Sequence, residues 1–132
     1  MIGVDTNVLI RLFITEDPRQ NELARSFFAE RSPKSPAHIS LVVMAEFAWV
    51  LNVKYKYSFD RIGSAVQAML ESDDFLVEHR AVVEWALGQF TRSRIDFSDL
   101  LIAKANDLAE CPMTVTFDRD AAKCVPGMEL LK

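Results

Sequence analysis

Apolar positions fall along this chain in short blocks that switch between a period near two and a period near 3.6, and the switches mark out its elements. Ile2-Gly3-Val4 is an apolar run that stops at Asp5-Thr6-Asn7, after which Val8, Leu9, Leu12 and Phe13 recur at helical spacing. That predicts a buried strand, a polar turn and a helix. Glu16-Asp17-Pro18 is a stop and restart, with Asp17 as N-cap and Pro18 at the first helical position. Leu23, Phe27 and Phe28 carry the apolar side of this second helix to about Arg31, and Ser32-Pro33-Lys34-Ser35-Pro36 reads as a loop. Ala37-His38-Ile39 predicts a very short strand, with Ser40 capping the helix that begins at Leu41. Beyond that helix, Ser58 or Asp60 opens another, striped by Ile62, Val66, Met69 and Leu70 and closed by Ser72-Asp73-Asp74. Phe75-Leu76-Val77 predicts a third strand, and Arg80 to Phe90 a helix with Val83, Leu87 and Phe90 facing inward. Ser98 reads as the N-cap of a buried helix running to Leu108. Met113 to Phe117 predicts a fourth strand ending at Asp118-Arg119-Asp120, and a last short strand is expected near Met128 to Leu131.

The segment from Leu41 to Lys54 breaks the alternation of apolar and polar faces. Leu41, Val42, Val43, Met44, Ala45, Phe47, Ala48, Trp49, Val50, Leu51 and Val53 leave almost no polar side. A helix that is apolar all round is buried, or covered by another chain. Glu46 is the one charge inside it. An unpaired ionised carboxylate is costly to bury, so Glu46 is expected to be paired, protonated or bound to a metal.

Strands alternating with helices predict an α/β fold, with a central parallel sheet of about four or five strands and helices on both faces. We find no internal repeat, no low-complexity tract and no linker, so residues 1–132 read as a single domain. In such a sheet every strand ends at one edge, which is where open α/β sheets bind ligands. Asp5 ends the first strand and Asp118 the fourth. Glu46, within two turns of Ser40, and Asp99, in the first turn of its helix, lie on elements that begin at the same edge. Each acid has a local explanation, since Asp5, Thr6 and Asn7 are all capping types and first-turn acids favour the helix dipole. Four acids remote in sequence but predicted on one rim make coincidental capping the less economical account.

Composition narrows the chemistry of that rim. The net charge is −4, from 15 basic and 19 acidic residues, so a broad basic nucleic-acid surface is excluded. The two cysteines, Cys111 and Cys124, and the two histidines, His38 and His79, give no zinc-ligand spacing. The cysteines read as reduced, largely buried thiols of a cytoplasmic protein. No signal peptide is read, because Asp5 interrupts the first apolar run, and the block from Leu41 to Val53 is too short to span a membrane. Clustered hard oxygen ligands point to Mg²⁺ or Mn²⁺, and such sites serve hydrolysis of a phosphodiester.

Four motifs now carry a likeness: DTNVL at Asp5, AEF at Glu46, DFSDLLIAKA around Asp99 and TFDRD at Asp118. In this order and spacing the chain resembles the PIN-domain ribonucleases over its whole length, and most closely the VapC-type toxins of bacterial and archaeal toxin–antitoxin pairs. The resemblance implies a Rossmann-like sheet and a metal-dependent endoribonuclease whose acidic pocket is Asp5, Glu46, Asp99 and Asp118. Thr6, or Asn7, and Thr116 match positions that support the pocket. Asp5 and Asp99 take the part of principal metal ligands, Glu46 binds metal or activates water, and Asp118 completes a second position. Asp96 and Asp120 are near enough in sequence to contribute, although a turn and the cap of a short helix explain them as well. Arg92, Arg94 and Arg119 flank the acids and are weak candidates for contact with RNA. The implied partners are an RNA substrate, a cognate antitoxin and a second copy of the chain, the last also suggested by the apolar surfeit around Trp49.

Two rival readings remain at this level. A receiver-type signalling domain also gathers acids around Mg²⁺, but it calls for an acidic pair after the first strand, where this chain offers Asp5 alone. A PIN fold kept as a binding or scaffold module would retain the fold without hydrolysis.

Overall fold

The computed structural model describes residues 1–93 and 95–132. In chain order the elements are β1 (Ile2–Gly3), α1 (Thr6–Arg11), α2 (Pro18–Ala29), β2 (Ala37–Ile39), α3 (Leu41–Val53) and α4 (Phe59–Glu71). They continue as β3 (Phe75–Val77), α5 (Arg80–Ser93), α6 (Phe97–Leu108), β4 (Thr114–Thr116), α7 (Arg119–Cys124) and β5 (Met128–Leu130). The fold is α/β with parallel strands, as the alternation predicts.

Caps set the helix starts. Asp17 accepts from the backbone N–H of Gln20 (3.0 Å) and Ser40 from that of Val43 (3.2 Å), as expected from sequence. Of the two candidates for α4, Ser58 is the cap, accepting from Arg61 N–H at 3.2 Å. At α6 the expectation fails. Asp96 rather than Ser98 is the N-cap, and Phe97 is already helical.

The sheet is smaller than the sequence suggests. β1, β2 and β3 form a parallel ladder in which Gly3 lies opposite His38 and His38 opposite Leu76. β4 and β5 form a separate parallel pair, Thr114 opposite Met128 and Thr116 opposite Leu130. Strands of two or three residues offer few ladder bonds, so sheet continuity contributes less here than helix packing. The core is one connected cluster in which Leu9, Ile39, Met44, Phe47, Leu51, Val66, Phe90 and Leu100 are buried. Each such side chain contributes roughly 2 kcal/mol by leaving water. Rings order its middle: Phe90 sits 4.8 Å from Phe59 and 5.3 Å from Phe97, and Phe13 sits 5.3 Å from Phe47, centroid to centroid.

Two expectations about burial are corrected. Met44, Phe47, Ala48 and Leu51 bury one face of α3, but Val42, Trp49 and Val53 are 78%, 51% and 43% exposed. These three lie with Glu46 on one helical stripe that meets no other described element strongly enough to be covered. Cys111 and Cys124 are also exposed rather than buried, both as free thiols. Among the described residues no helix is long and apolar enough to cross a membrane.

Candidate active site

Hydrogen bonds set the start of α6. One Asp96 oxygen accepts from the backbone N–H groups of both Ser98 (2.8 Å) and Asp99 (3.3 Å), which sets the first turn and the place of Asp99 within it. Because Asp96 has taken the cap, the Ser98 hydroxyl is released for another partner. It donates to the carbonyl oxygen of Ala45 at 2.9 Å, tying α6 to α3 one residue away from Glu46. Asp99 is half-buried, and its carboxyl is raised above the usual aspartate range. Burial is the main cause, followed by the negative charges of Asp96 and then Asp118.

Asp118 reaches this neighbourhood from the end of β4. Its carboxylate caps α7 by accepting from Ala121 N–H (3.0 Å), and its own backbone N–H donates to the Thr116 hydroxyl (3.0 Å). The Thr116 hydroxyl thus holds the backbone of residue 118. Asp96 in its own helix start and Asp118 from the end of β4 thus both bear on Asp99.

Asp5 and Glu46 come from other elements, the end of β1 and the second turn of α3. Neither is among the charges that raise Asp99. Asp5 is exposed and accepts from Thr6 N–H at 2.7 Å, so the capping explanation holds for it at least in part. Thr6 is buried beneath it, and Asn7 is exposed. Glu46 is exposed, which overturns the expectation of a buried carboxylate needing a partner. The reason is tertiary: α3 buries its opposite face, so the stripe of Val42, Glu46, Trp49 and Val53 turns outward. Asp120 lies exposed in the first turn of α7, and the cap of that helix is Asp118. Arg119 is exposed at the start of α7, whereas Arg92 donates back to the carbonyl of Gly88 (3.1 Å) within its own helix. Arg94 falls outside the described residues.

The donor set is chemically suited to a hard divalent cation, being oxygen throughout. Its spacing is open, since among the described residues no three Asp, Glu, His or Cys side chains gather closely enough to hold an ion. The ligands of any metal would have to be drawn together from the positions they hold here.

Two residues that shape this rim escape sequence reasoning. Ser98 reads as a cap; the signal against that is Asp96 two residues earlier, a competitor for the same N–H groups. Glu78, at the end of β3, accepts from the backbone N–H of Leu41 at 2.9 Å and so holds the N-terminus of α3 against the sheet. An acid directly after a strand is the available cue.

The family model described as PIN domain matches residues 2–125 of the chain. No curated protein matches it.

Proposed function

We propose, from the premise that this chain belongs to the PIN domain family, that it is a divalent-metal-dependent endoribonuclease and the toxin of a toxin–antitoxin pair. PIN domains are generally nucleases, and nucleases of this family generally use divalent metal ions. One observation carries the reading: the half-buried Asp99 carboxyl is opposed by the charges of Asp96 and Asp118. Burial and like charge both oppose ionisation of this carboxyl, and a divalent cation bound there would relieve both.

In this reading Asp5, Glu46, Asp99 and Asp118 hold Mg²⁺ or Mn²⁺. The ion supplies a water of lowered pKa and offsets charge developing on the phosphoryl oxygens. The chain's own residues do the rest. Asp96 fixes the backbone of Asp99 through its two bonds to the first turn. Thr116 fixes that of Asp118. Thr6, buried beneath Asp5, holds the turn after it, and Asn7 lies exposed beside it. Glu46, exposed to solvent, either serves as one of these ligands or instead orients the attacking water and takes its proton. Arg119, with Arg92 and Arg94, meets the RNA backbone, and Asp120 adjusts the charge beside it. One domain, residues 1–132, carries the activity in the cytoplasm. Its exposed stripe on α3 pairs two copies of the chain, and an antitoxin segment places an Arg at the acids.

Cleavage of single-stranded RNA by a clean preparation, with and without EDTA, tests the reading. Activity should require Mg²⁺ or Mn²⁺ and should fall by at least a hundredfold in Asp99→Asn. Undiminished cleavage in EDTA refutes it. The open spacing of the acids favours a second reading, a PIN-fold binding module without hydrolysis. A protein of that kind would show no thermal response to Mg²⁺.

A further inference from the structure

A cleft of about 400 Å³ opens between α1 and α2, and Asp5 forms part of its lining. Of the candidate acids, Asp5 alone contributes to this lining. That volume is in the range that takes a small organic ligand. Three features define the ligand it suits. First, the walls are apolar, made largely by Val8, Leu23 and Phe27. Arg31 holds the Phe27 ring in place: its guanidinium lies 4.5 Å from the ring centroid and its Nε donates to the Phe27 carbonyl at 3.1 Å.

Second, the polar groups at the cleft have hydrogen-bonding capacity to spare. Asn7 is exposed and its amide has no intramolecular partner among the described residues. Gln20 accepts from Arg11 Nε (2.8 Å) through its oxygen, which leaves its amide nitrogen as a donor. The positive charge in the lining is already matched, since Arg11 pairs with Glu16 at 3.3 Å. A flat, uncharged ligand with donors and acceptors on its edge suits this lining. A phosphate does not, and an aliphatic helix would leave the amides unpaired.

Third, Gly3 contributes to the space. A Cβ built there meets nothing within 4 Å. A side chain at residue 3 would therefore extend into open space, and no positive φ at residue 3 requires a glycine.

We infer that this cleft is a subsite for one unpaired nucleobase of single-stranded RNA, held beside Asp5 by the apolar walls and read along its edge by Asn7 and Gln20. Single-stranded RNA is recognised in this way elsewhere, by bases splayed onto aromatic side chains and bonded at their edges. The inference deepens the nuclease reading and rests on it for the identity of the ligand.

The test uses the full-length ¹⁵N-labelled protein in EDTA, so that no cleavage occurs, titrated separately with AMP, GMP, CMP and UMP. At least one should shift the amides of Gly3, Asn7, Leu23 and Phe27 in a saturable way. Gly3→Val should weaken that binding at least tenfold without lowering the melting temperature, because the added side chain fills open space in a strand. Leu23→Glu, at an exposed position on α2, is the second variant and should also abolish the shifts. A cleft silent to all four nucleotides overturns the inference, as does binding that Gly3→Val and Leu23→Glu leave unchanged. An amphipathic peptide carrying one Arg is a further arm. Cleft shifts with the peptide alone identify a protein-docking groove and likewise overturn the base subsite. Mg²⁺ added to the free protein after EDTA removal reads the nuclease proposal separately, through the amides of Asp96, Asp99 and Asp118. Metal shifts with a silent cleft leave that proposal standing and remove this one; cleft shifts without a metal response do the reverse.

Discussion

The bond from Ser98 to Ala45 is the one direct tie between the helix carrying Asp99 and the helix carrying Glu46 among the hydrogen bonds of the described residues, and its removal has a calculable effect. Ser98→Ala deletes a hydrogen bond of 2.9 Å in a partly buried place. Such a bond contributes about 1 kcal/mol net. The acceptor is not orphaned, because Ala45 O lies inside α3 and keeps its helical donor four residues on. Alanine is also the better helix former, which offsets up to about 0.5 kcal/mol. The net cost is then about 0.5–1 kcal/mol, or a fall of about 2–4 °C in melting temperature for a domain of this size. A loss this small leaves the protein folded, so its effect on the site can be read. Calorimetric titration with Mg²⁺ should show several-fold weaker binding in Ser98→Ala, because α6 is freer to shift against α3. Ser98→Thr keeps the hydroxyl and should restore both stability and affinity towards wild type. If Ser98→Ala melts no lower than wild type and binds metal equally well, the bond neither holds the helices nor sets the acids. If Thr is no better than Ala, the lost hydroxyl is not the cause.

Three further outcomes are expected. With Asp99 raised by burial and by the charges of Asp96 and Asp118, the folded protein holds a proton at pH values where the unfolded chain has released it. Stability from this group is therefore present below the ordinary aspartate value of about 4 and falls as pH rises through the raised one. In EDTA, Asp99→Asn should melt higher than wild type at neutral pH and lose that slope, and melts at two pH values check it. Saturating Mg²⁺, at about a hundredfold its Kd, should add about 2.7 kcal/mol to wild type and much less to Asp99→Asn; equal gains would detach Asp99 from the metal. Trp49→Glu, on the exposed stripe of α3, should convert a dimer to monomer in light scattering without lowering the melting temperature by more than about 2 °C, the ordinary cost of a surface change. A wild-type monomer at tens of micromolar would count against that interface.

The sequence alone determined the parts of this protein that depend on near neighbours. The starts of α2 and α3 follow from Asp17 with Pro18 and from Ser40, because a cap is satisfied by N–H groups two or three residues away. The order of strands and helices follows from apolar periodicity, which is written within one element. Asp5, Asp99 and Asp118 could be singled out because each stands where an apolar strand stops or an apolar helix begins. The family likeness came from the same local motifs and agrees with the match over residues 2–125.

Tertiary structure decided what depends on a partner distant in sequence. Nothing within Leu41–Val53 says which side of so apolar a helix faces outward. Packing of Phe47 and Leu51 into the core turns Glu46 and Trp49 to the surface. The α6 cap lies between two nearby competitors; Asp96 takes it, and the Ser98 hydroxyl bonds instead to the carbonyl of Ala45, 53 residues earlier in the chain. The sheet divides into three strands and two because elements this short do not specify their neighbours. The charge of Asp96 on Asp99 comes from three residues away along the chain, whereas that of Asp118 on Asp99 is brought there by packing, which no spacing along the chain encodes.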